Sequence, residues 1–201
     1  MTNAEMTSEA VGEQRVVRAV RLTELLTVWR EVADGFTERL AAVGPPDWSA
    51  STCCEALDVA ELVDHAIGTQ RMIPQALGAA GAIDTTGDDL VLVWDAVRGG
   101  ADAALSAPGA LDEIVKLTIG EMAAKDGIGI FLGDLLVHTW DLARAIRVND
   151  GLHPEACAIA LANLEPIDDL LRSPGLYGPK LEPAGGADVQ DRLLAFLGRT
   201  V

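Results

Sequence analysis

Residues 133–145 have the sequence GDLLVHTWDLARA, and this stretch has the pattern of a single α-helix. Its leucine, valine and alanine residues supply apolar surface, and no proline interrupts it. Asp134 and His138 are four residues apart and Asp141 follows three residues later, so a helix places all three on one face. Burying two acids and an imidazole on an apolar helix is unfavourable unless they are paired. Either a divalent metal ion or a hydrogen-bond network would pair them.

The rest of the chain also shows helical periodicity, with apolar residues recurring at intervals of three and four. Glycine and proline residues separate these segments. We place the predicted helices at residues 16–43, 59–80, 88–106, 126–146, 154–171 and 189–197. Residues 111–121 alternate weakly, which predicts either a short hairpin or an extended loop. The pattern as a whole predicts an all-α fold, most simply a four-helix bundle with additional C-terminal helices.

The length of 201 residues fits one domain. We assign residues 14–201 to this single domain and residues 1–13, which are polar and acidic, to a flexible tail. Residues 173–186 are rich in glycine and proline, and we expect them to form an irregular crossing before the last helix.

The formal net charge of -16 argues against binding to nucleic acid or to an anionic membrane surface. The N-terminus lacks a secretory signal, and no apolar run approaches the ~20 residues of a membrane-spanning helix. The three cysteines are an odd number, and two of them are adjacent. We therefore expect a cytoplasmic protein with reduced thiols. A homodimer is left open.

The second predicted helix begins with a local signature. Asp58 and Glu61 have the spacing of a capping box, in which each side chain bonds the backbone of the other residue. His65 lies one turn further on, and the apolar pattern places it on the inward face. Pro74 is expected to kink the helix.

Two histidines and an acid form the strongest candidate site. His65 and His138 lie on apolar faces of different helices, and Asp134 precedes His138 by one turn. If the helices are neighbours, these residues form a two-histidine, one-carboxylate cluster that suits Zn²⁺, Fe²⁺, Ni²⁺ or Mn²⁺. The alternative is two core histidines, each satisfied by the acid one turn earlier, Glu61 for His65 and Asp134 for His138.

The remaining polar residues on these helices each allow two interpretations. Asp141 either orients His138 or pairs with Arg144 or Arg147 on the surface. Cys54 is interpreted as a small buried residue, with a nucleophile or metal ligand as the alternative.

Several stretches resemble one known family. Residues 48–68, with the sequence WSASTCCEALDVAELVDHAIG, resemble the N-terminal signature of DinB-like proteins of the mycothiol-dependent maleylpyruvate isomerase type. Residues 134–144 resemble the second signature of an actinobacterial, metal-binding branch of this family. Residues 191–199 also resemble the corresponding stretch of that branch. The resemblance implies a four-helix bundle that holds a divalent metal between helices. It departs from the isomerases in having Asp134 where they carry glutamate, and Leu57 where an aromatic residue is usual.

Carried over to this chain, the resemblance implies that His65, Asp134 and His138 are the metal ligands, with Zn²⁺ the first choice of metal. It further implies a transferase or isomerase in which a low-molecular-weight thiol, mycothiol, adds to an electrophilic substrate. We expect Trp140 and Arg144 to contact the cosubstrate, and Asp141 to support catalysis by orienting His138. Alternatives are a thiol-independent metal enzyme (a hydrolase, cyclase or lyase) and a non-catalytic bundle that binds a ligand or a partner helix.

Overall fold

The computed structural model describes residues 23–54, 57–79, 89–172 and 177–201. This part of the chain is predominantly helical, which confirms the predicted all-α class. It also contains one small antiparallel hairpin. The first helix, α1, covers residues 23–41; its predicted start and the predicted tail lie outside the described residues. The other elements are α2 (Val59–Ala76), α3 (Leu90–Leu105), β1 (Ile114–Leu117), β2 (Gly120–Ala123), α4 (Ala124–Ile146), α5 (Pro154–Leu164), α6 (Asp168–Arg172) and α7 (Val189–Phe196).

Helices α1, α2, α3 and α4 contribute most of one continuous apolar core. Between α1 and α3, the rings of Phe36 and Trp94 lie 4.5 Å apart. The Trp94 indole donates a hydrogen bond to Thr37 Oγ1 at 2.8 Å, so a large aromatic group is buried with its polar atom satisfied. Helix α2 packs against both α3 and α4, which brings His65 towards the histidine-bearing helix. Among the described residues, no helix combines the length and apolarity needed to cross a membrane.

Local signals in the sequence set the start of α2. The capping box is present, with Glu61 N donating to Asp58 Oδ1 and Asp58 N donating to Glu61 Oε2. Pro74 lies inside the helix, as predicted. The prediction that the helix extends to residue 80 was wrong, because it ends at Ala76 and Gly78 adopts a left-handed conformation with φ of 67°.

The hairpin alternative is confirmed for the segment before α4. Strands β1 and β2 pair antiparallel, with Ile114 opposite Ala123 and Leu117 opposite Gly120. The strand pair is continuous with α4, since Ala124 N donates to Glu113 O at 2.8 Å. Leu117, next to the turn at residues 118–119, packs on the N-terminal half of α4, since its Cδ1 lies 3.2 Å from the position that a Cβ would occupy on Gly127.

The predicted single helix at 154–171 was wrong. Helix α5 ends at Leu164, a 3₁₀ turn follows at Glu165–Ile167, and α6 is separate. Pro166 explains the break, because it has no backbone N–H and its ring crowds the preceding turn. The irregular crossing is confirmed for residues 177–186, while 173–176 lie outside the described residues. Helix α7 is capped by Asp188 as the sequence suggests, and it packs on α5.

Two glycines of α4 allow α5 to approach closely. A Cβ added at Gly133 would lie 2.6 Å from Leu164 Cδ1, and one added at Gly129 would lie 2.6 Å from Asn163 Cβ. Leu164 is completely buried and has little room to move. The absence of side chains at these two positions therefore sets the distance between α4 and α5.

We expect Gly133→Ala to destabilise the protein by about 1–3 kcal/mol, because overpacking against Leu164 outweighs the gain in helix propensity. The matched control is Gly68→Ala in α2, where an added Cβ meets nothing within 4 Å. That variant should be as stable as the parent or more stable by up to about 1 kcal/mol. Urea unfolding measures both, and equal stability of the two variants would contradict the packing argument.

Candidate metal centre

Three donor groups from two helices meet in the structure. His65 on α2 and His138 on α4 both point their Nε2 atoms at Asp134 Oδ1, each at 3.6 Å. The two imidazole rings are 4.8 Å apart and nearly perpendicular. The ligand atoms of all three residues lie within 4.8 Å of one another. The predicted cluster is therefore assembled, with one residue from α2 and an i, i+4 pair from α4.

Asp134 has an incompletely satisfied carboxylate. Only 14% of its side chain is exposed, and its Oδ2 atom is buried with no hydrogen-bond partner among the described residues. The neighbouring Thr69 hydroxyl donates to His65 O at 3.1 Å and also lies close enough to Asp134 to help lower the pKa of its carboxyl. Burial alone would raise the pKa of Asp134, but the nearby His138 and His65 outweigh it and hold the pKa below its ordinary value. An ionised, buried carboxylate with a free oxygen is an arrangement that a cation would complete.

His138 is oriented from its other side. Its Nδ1 lies 3.2 Å from Asp141 Oδ2, so Asp141 favours the tautomer with the proton on Nδ1 and the lone pair on Nε2. Asp141 is fully buried, and Arg199 donates to both of its oxygens, from Nε at 2.8 Å and from Nη2 at 2.7 Å. Burial works to raise the pKa of Asp141, but Arg199 and His138 keep it below its ordinary value. Asp141 is thus a positioning residue that lies behind His138.

The structure decides between the interpretations of Asp141 and His65. Asp141 orients His138, and its cationic partner is Arg199, not Arg144 or Arg147. His65 is not a core histidine, because 47% of its side chain is exposed. Its contact with Asp134 raises its pKa, although partial burial acts in the opposite direction. Glu61 bonds the start of α2 and is not the partner of His65.

The donor cluster lies in the wall of a cavity of about 470 Å³. Most of the wall is apolar, and it is formed by α2, α4, the hairpin turn and the C-terminal segment. The lining residues are Cys54, Leu57, His65, Thr69, Met72, Leu117, Thr118, Ile119, Ile130, Phe131, Asp134, Val137, His138, Tyr177, Gly178 and Arg199. A cavity of this size suits a small molecule.

Two expected contact residues do not line this cavity. Trp140 is 1% exposed and belongs to the core. Arg144 lies over the Trp140 ring at 5.3 Å and pairs with Asp150 at 3.2 Å. Trp140 follows His138 by two residues, which turns it by about 200° around the helix, away from the cavity. The structure therefore does not place Trp140 or Arg144 in the wall of this cavity, and their contact with a cosubstrate stays a prediction.

The cysteines are free thiols in different environments. Cys54 lines the cavity and Cys53 is exposed beside it. Cys157 is buried in α5, and burial raises its pKa to about 12, so it is not a reactive thiolate at neutral pH. The interpretation of Cys54 as an ordinary buried residue was wrong in part, since it reaches the cavity wall.

Sequence reasoning missed Arg199, Tyr177 and the hairpin turn. Arg199 is 58 residues from Asp141, and no local spacing rule connects them. It reaches Asp141 because the chain folds back after α7, where Gly198 adopts φ of 82° and Arg199 N donates to Leu194 O. The available signals were the position of the arginine just after the final helix and its place in the stretch 191–199 that resembles the family.

Comparisons with known proteins add relatives but no function. Uncharacterized protein MT0763 of Mycobacterium tuberculosis (strain CDC 1551 / Oshkosh) is 29% identical over 187 residues, which cover 88% of this chain and 98% of the relative. Uncharacterized protein Rv0738 of strain ATCC 25618 / H37Rv matches to the same extent. No family model matches the chain. No solved structure matches it.

We expect Arg199→Gln to lower the free energy of unfolding by about 3–5 kcal/mol, because Asp141 would stay buried without its guanidinium partner. The double variant Asp141→Asn/Arg199→Gln should lose less than the sum of the single losses, since each single change leaves the other group unpaired. Urea unfolding in the presence of a chelator measures the cycle. A double variant whose loss of stability equals the sum of the two single losses would contradict the coupling between Asp141 and Arg199.

The pH dependence of the same variant follows from the lowered pKa of Asp141. In the parent, ionised Asp141 stabilises the folded state at pH values above the pKa of Asp141 in the unfolded chain, which is about 3.9. This stabilisation is lost as the pH falls through the pKa of Asp141 in the folded protein, which is lower. Without Arg199, burial dominates and the folded pKa of Asp141 rises. The stability difference between parent and Arg199→Gln should therefore be largest at neutral pH and shrink on acidification. A difference that grows towards acid pH would contradict this.

Proposed function

We propose that this chain is a DinB-like four-helix-bundle metalloprotein that binds one divalent ion through His65, Asp134 and His138 and acts on an electrophilic small molecule. The observation that carries the proposal is the convergence of two imidazoles and an under-satisfied buried carboxylate in the wall of a small-molecule-sized cavity. The signatures at residues 48–68 and 134–144 support the family, and the mainly helical fold agrees with it.

The donor set fits a divalent transition metal. Histidine nitrogen with one carboxylate suits Zn²⁺, and Ni²⁺, Fe²⁺ and Mn²⁺ accept the same set. Three protein ligands leave a position for a further ligand, which is typical of catalytic sites. Asp141, held by Arg199, provides the carboxylate that usually orients a ligating histidine.

The proposed reaction is transfer to, or isomerisation of, the electrophile with a low-molecular-weight thiol, mycothiol by family resemblance, as cosubstrate. A bound divalent ion supplies a positive charge that favours the thiolate over the thiol at neutral pH. The apolar walls exclude water and hold the electrophile close to the thiol sulfur. A sulfur–carbon bond forms, and either a leaving group departs or the thiol is eliminated again to give the isomer.

Two alternatives share part of this evidence. The first keeps the metal as a Lewis acid in a hydrolase, cyclase or lyase without any thiol. The second is a non-catalytic bundle that binds a ligand or a partner helix. We further propose a cytoplasmic location, where the free cysteines would remain reduced, and partners other than nucleic acid or membrane.

Purified protein should take up one equivalent of Zn²⁺, and His138→Ala should abolish uptake while the bundle stays folded. Metal at about 100-fold excess over its Kd should stabilise the parent by about 2.7 kcal/mol and the variant by nothing. The matched control is His153→Ala, which removes a histidine that caps α5 outside the cluster. Elemental analysis and thermal unfolding provide the two measurements. Metal uptake below a tenth of an equivalent in the parent would overturn the proposal.

The thiol reaction makes a separate prediction. Cys53→Ala, Cys54→Ala and Cys157→Ala should each keep most activity, because the nucleophilic sulfur comes from the cosubstrate. Asp134→Ala should lose it, because a metal ligand is gone. The assay is conjugation of a reactive maleyl or epoxide compound to mycothiol or glutathione, followed by mass spectrometry. Turnover at full rate without thiol would favour the metal-only alternative, and loss of turnover in Cys54→Ala alone would place the nucleophile on the protein.

A further inference from the structure

The cavity has two chemically different ends, with the donor cluster between them. Helices α2 and α4 run in opposite directions along it, since Gln70 contacts Phe131 O whereas His65 contacts Asp134 and His138. The end beyond His138 is lined by Cys54 and Arg199, which carry a thiol and a charge. The opposite end lies against the hairpin turn and the N-terminal half of α4.

The hairpin end is apolar. Met72, Leu117, Ile119, Ile130 and Phe131 line it, and the charged groups among the described lining residues all belong to the donor cluster or to Arg199. Its polar side chains are two threonine hydroxyls, and that of Thr69 already donates to His65 O. The hairpin holds these residues in place, since Leu117 Cδ1 lies within 3.2 Å of the position a Cβ would occupy on Gly127 of α4.

We propose that the substrate of this site is a small molecule with an apolar, aliphatic or aromatic body and a single polar reacting group. The body would lie in the hairpin end and the polar group would lie at His65, Asp134 and His138. This inference rests on the proposed function and names its substrate class. A body rich in hydroxyls or charges would lose its hydrogen bonds to water against these walls without replacement, whereas an apolar body gains free energy on burial.

The volume sets the size of the part of the substrate that can be buried, because the cavity is partly open to solvent. At the share of about 30 Å³ that one water occupies in the liquid, 470 Å³ holds on the order of 15 non-hydrogen groups. A medium-length acyl chain or one to two aromatic rings with a polar head matches this volume.

The test uses hydroxamic acids as probes, because the hydroxamate head binds divalent metals and the alkyl chain can be varied alone. Binding of acetohydroxamate, hexanohydroxamate and octanohydroxamate to Zn²⁺-loaded protein is measured by calorimetry. Each buried methylene should improve affinity roughly fourfold, so octanohydroxamate should bind at least about a hundredfold more tightly than acetohydroxamate. Equal affinity across the series would overturn the substrate class while leaving the metal site intact.

Two isoleucine variants of the hairpin test where the alkyl chain of the probe lies. Ile119→Ser, in the cavity wall, should weaken octanohydroxamate roughly three- to tenfold and leave acetohydroxamate unchanged. Ile114→Ser is the matched control, since Ile114 is 68% exposed and does not line the cavity; it should change neither affinity. Equal effects of the two variants on octanohydroxamate would contradict the assigned location.

A metal-independent arm separates this inference from the proposed function. The affinity of His138→Ala for primary alcohols should still rise from butanol to decanol, because the hairpin end does not need the metal. If Zn²⁺ fails to bind the parent but the alcohol series rises, the metal proposal falls and the apolar subsite stands. If the alcohol series is flat, the apolar subsite is refuted.

Discussion

Two ionised carboxylates on one buried helix set the main physical constraint of this structure. Helix α4 is buried over most of its length, and Asp134 and Asp141 lie two turns apart on it. Removing a carboxylate from water is strongly unfavourable unless opposite charge or hydrogen bonds compensate for it. The fold compensates Asp141 completely, through two bonds from Arg199 and one contact with His138. It compensates Asp134 only in part, since Oδ2 has no partner among the described residues. This difference between two similar residues supports a cation site beside Asp134, because no described residue supplies the partner of Oδ2.

The compensation of Asp141 explains why the C-terminal segment is part of the site. Arg199 follows α7, which packs on α5, and the spacing of α5 from α4 depends on Gly129 and Gly133. The orientation of His138 is therefore connected to the packing of the C-terminal helices through a continuous set of contacts. A bundle truncated before α7 would leave Asp141 buried and unpaired.

Local chemistry made most of the helices predictable. The capping box at Asp58, the acid at Asp188 and the apolar periodicity act within a few residues, so sequence spacing reveals them directly. The donor cluster was predictable in part, because i, i+4 spacing aligns Asp134 with His138, and the inward face of α2 suggested His65. The partner of Asp141 was not predictable, since the choice among Arg144, Arg147 and Arg199 depends on how distant segments fold back. The break at Pro166 was visible locally, but the prediction of one helix over 154–171 rested on the apolar pattern alone and did not take the proline into account.

The charge arrangement also bears on where a reacting sulfur would come from. Cys54 lines the cavity on the side of Arg199. A nearby arginine could in principle stabilise Cys54 as a thiolate. However, Arg199 donates from Nε and Nη2 to Asp141 and from Nη1 to Leu197 O, so three of its five N–H groups already have partners. Its charge is offset by a carboxylate at 2.7 Å, which leaves a weak net field for a neighbouring thiolate. The donor cluster around Asp134, by contrast, has a carboxylate that the described residues compensate only in part, which favours a cation there. Within the reaction that we propose, we therefore place the nucleophile on a cosubstrate and not on Cys54.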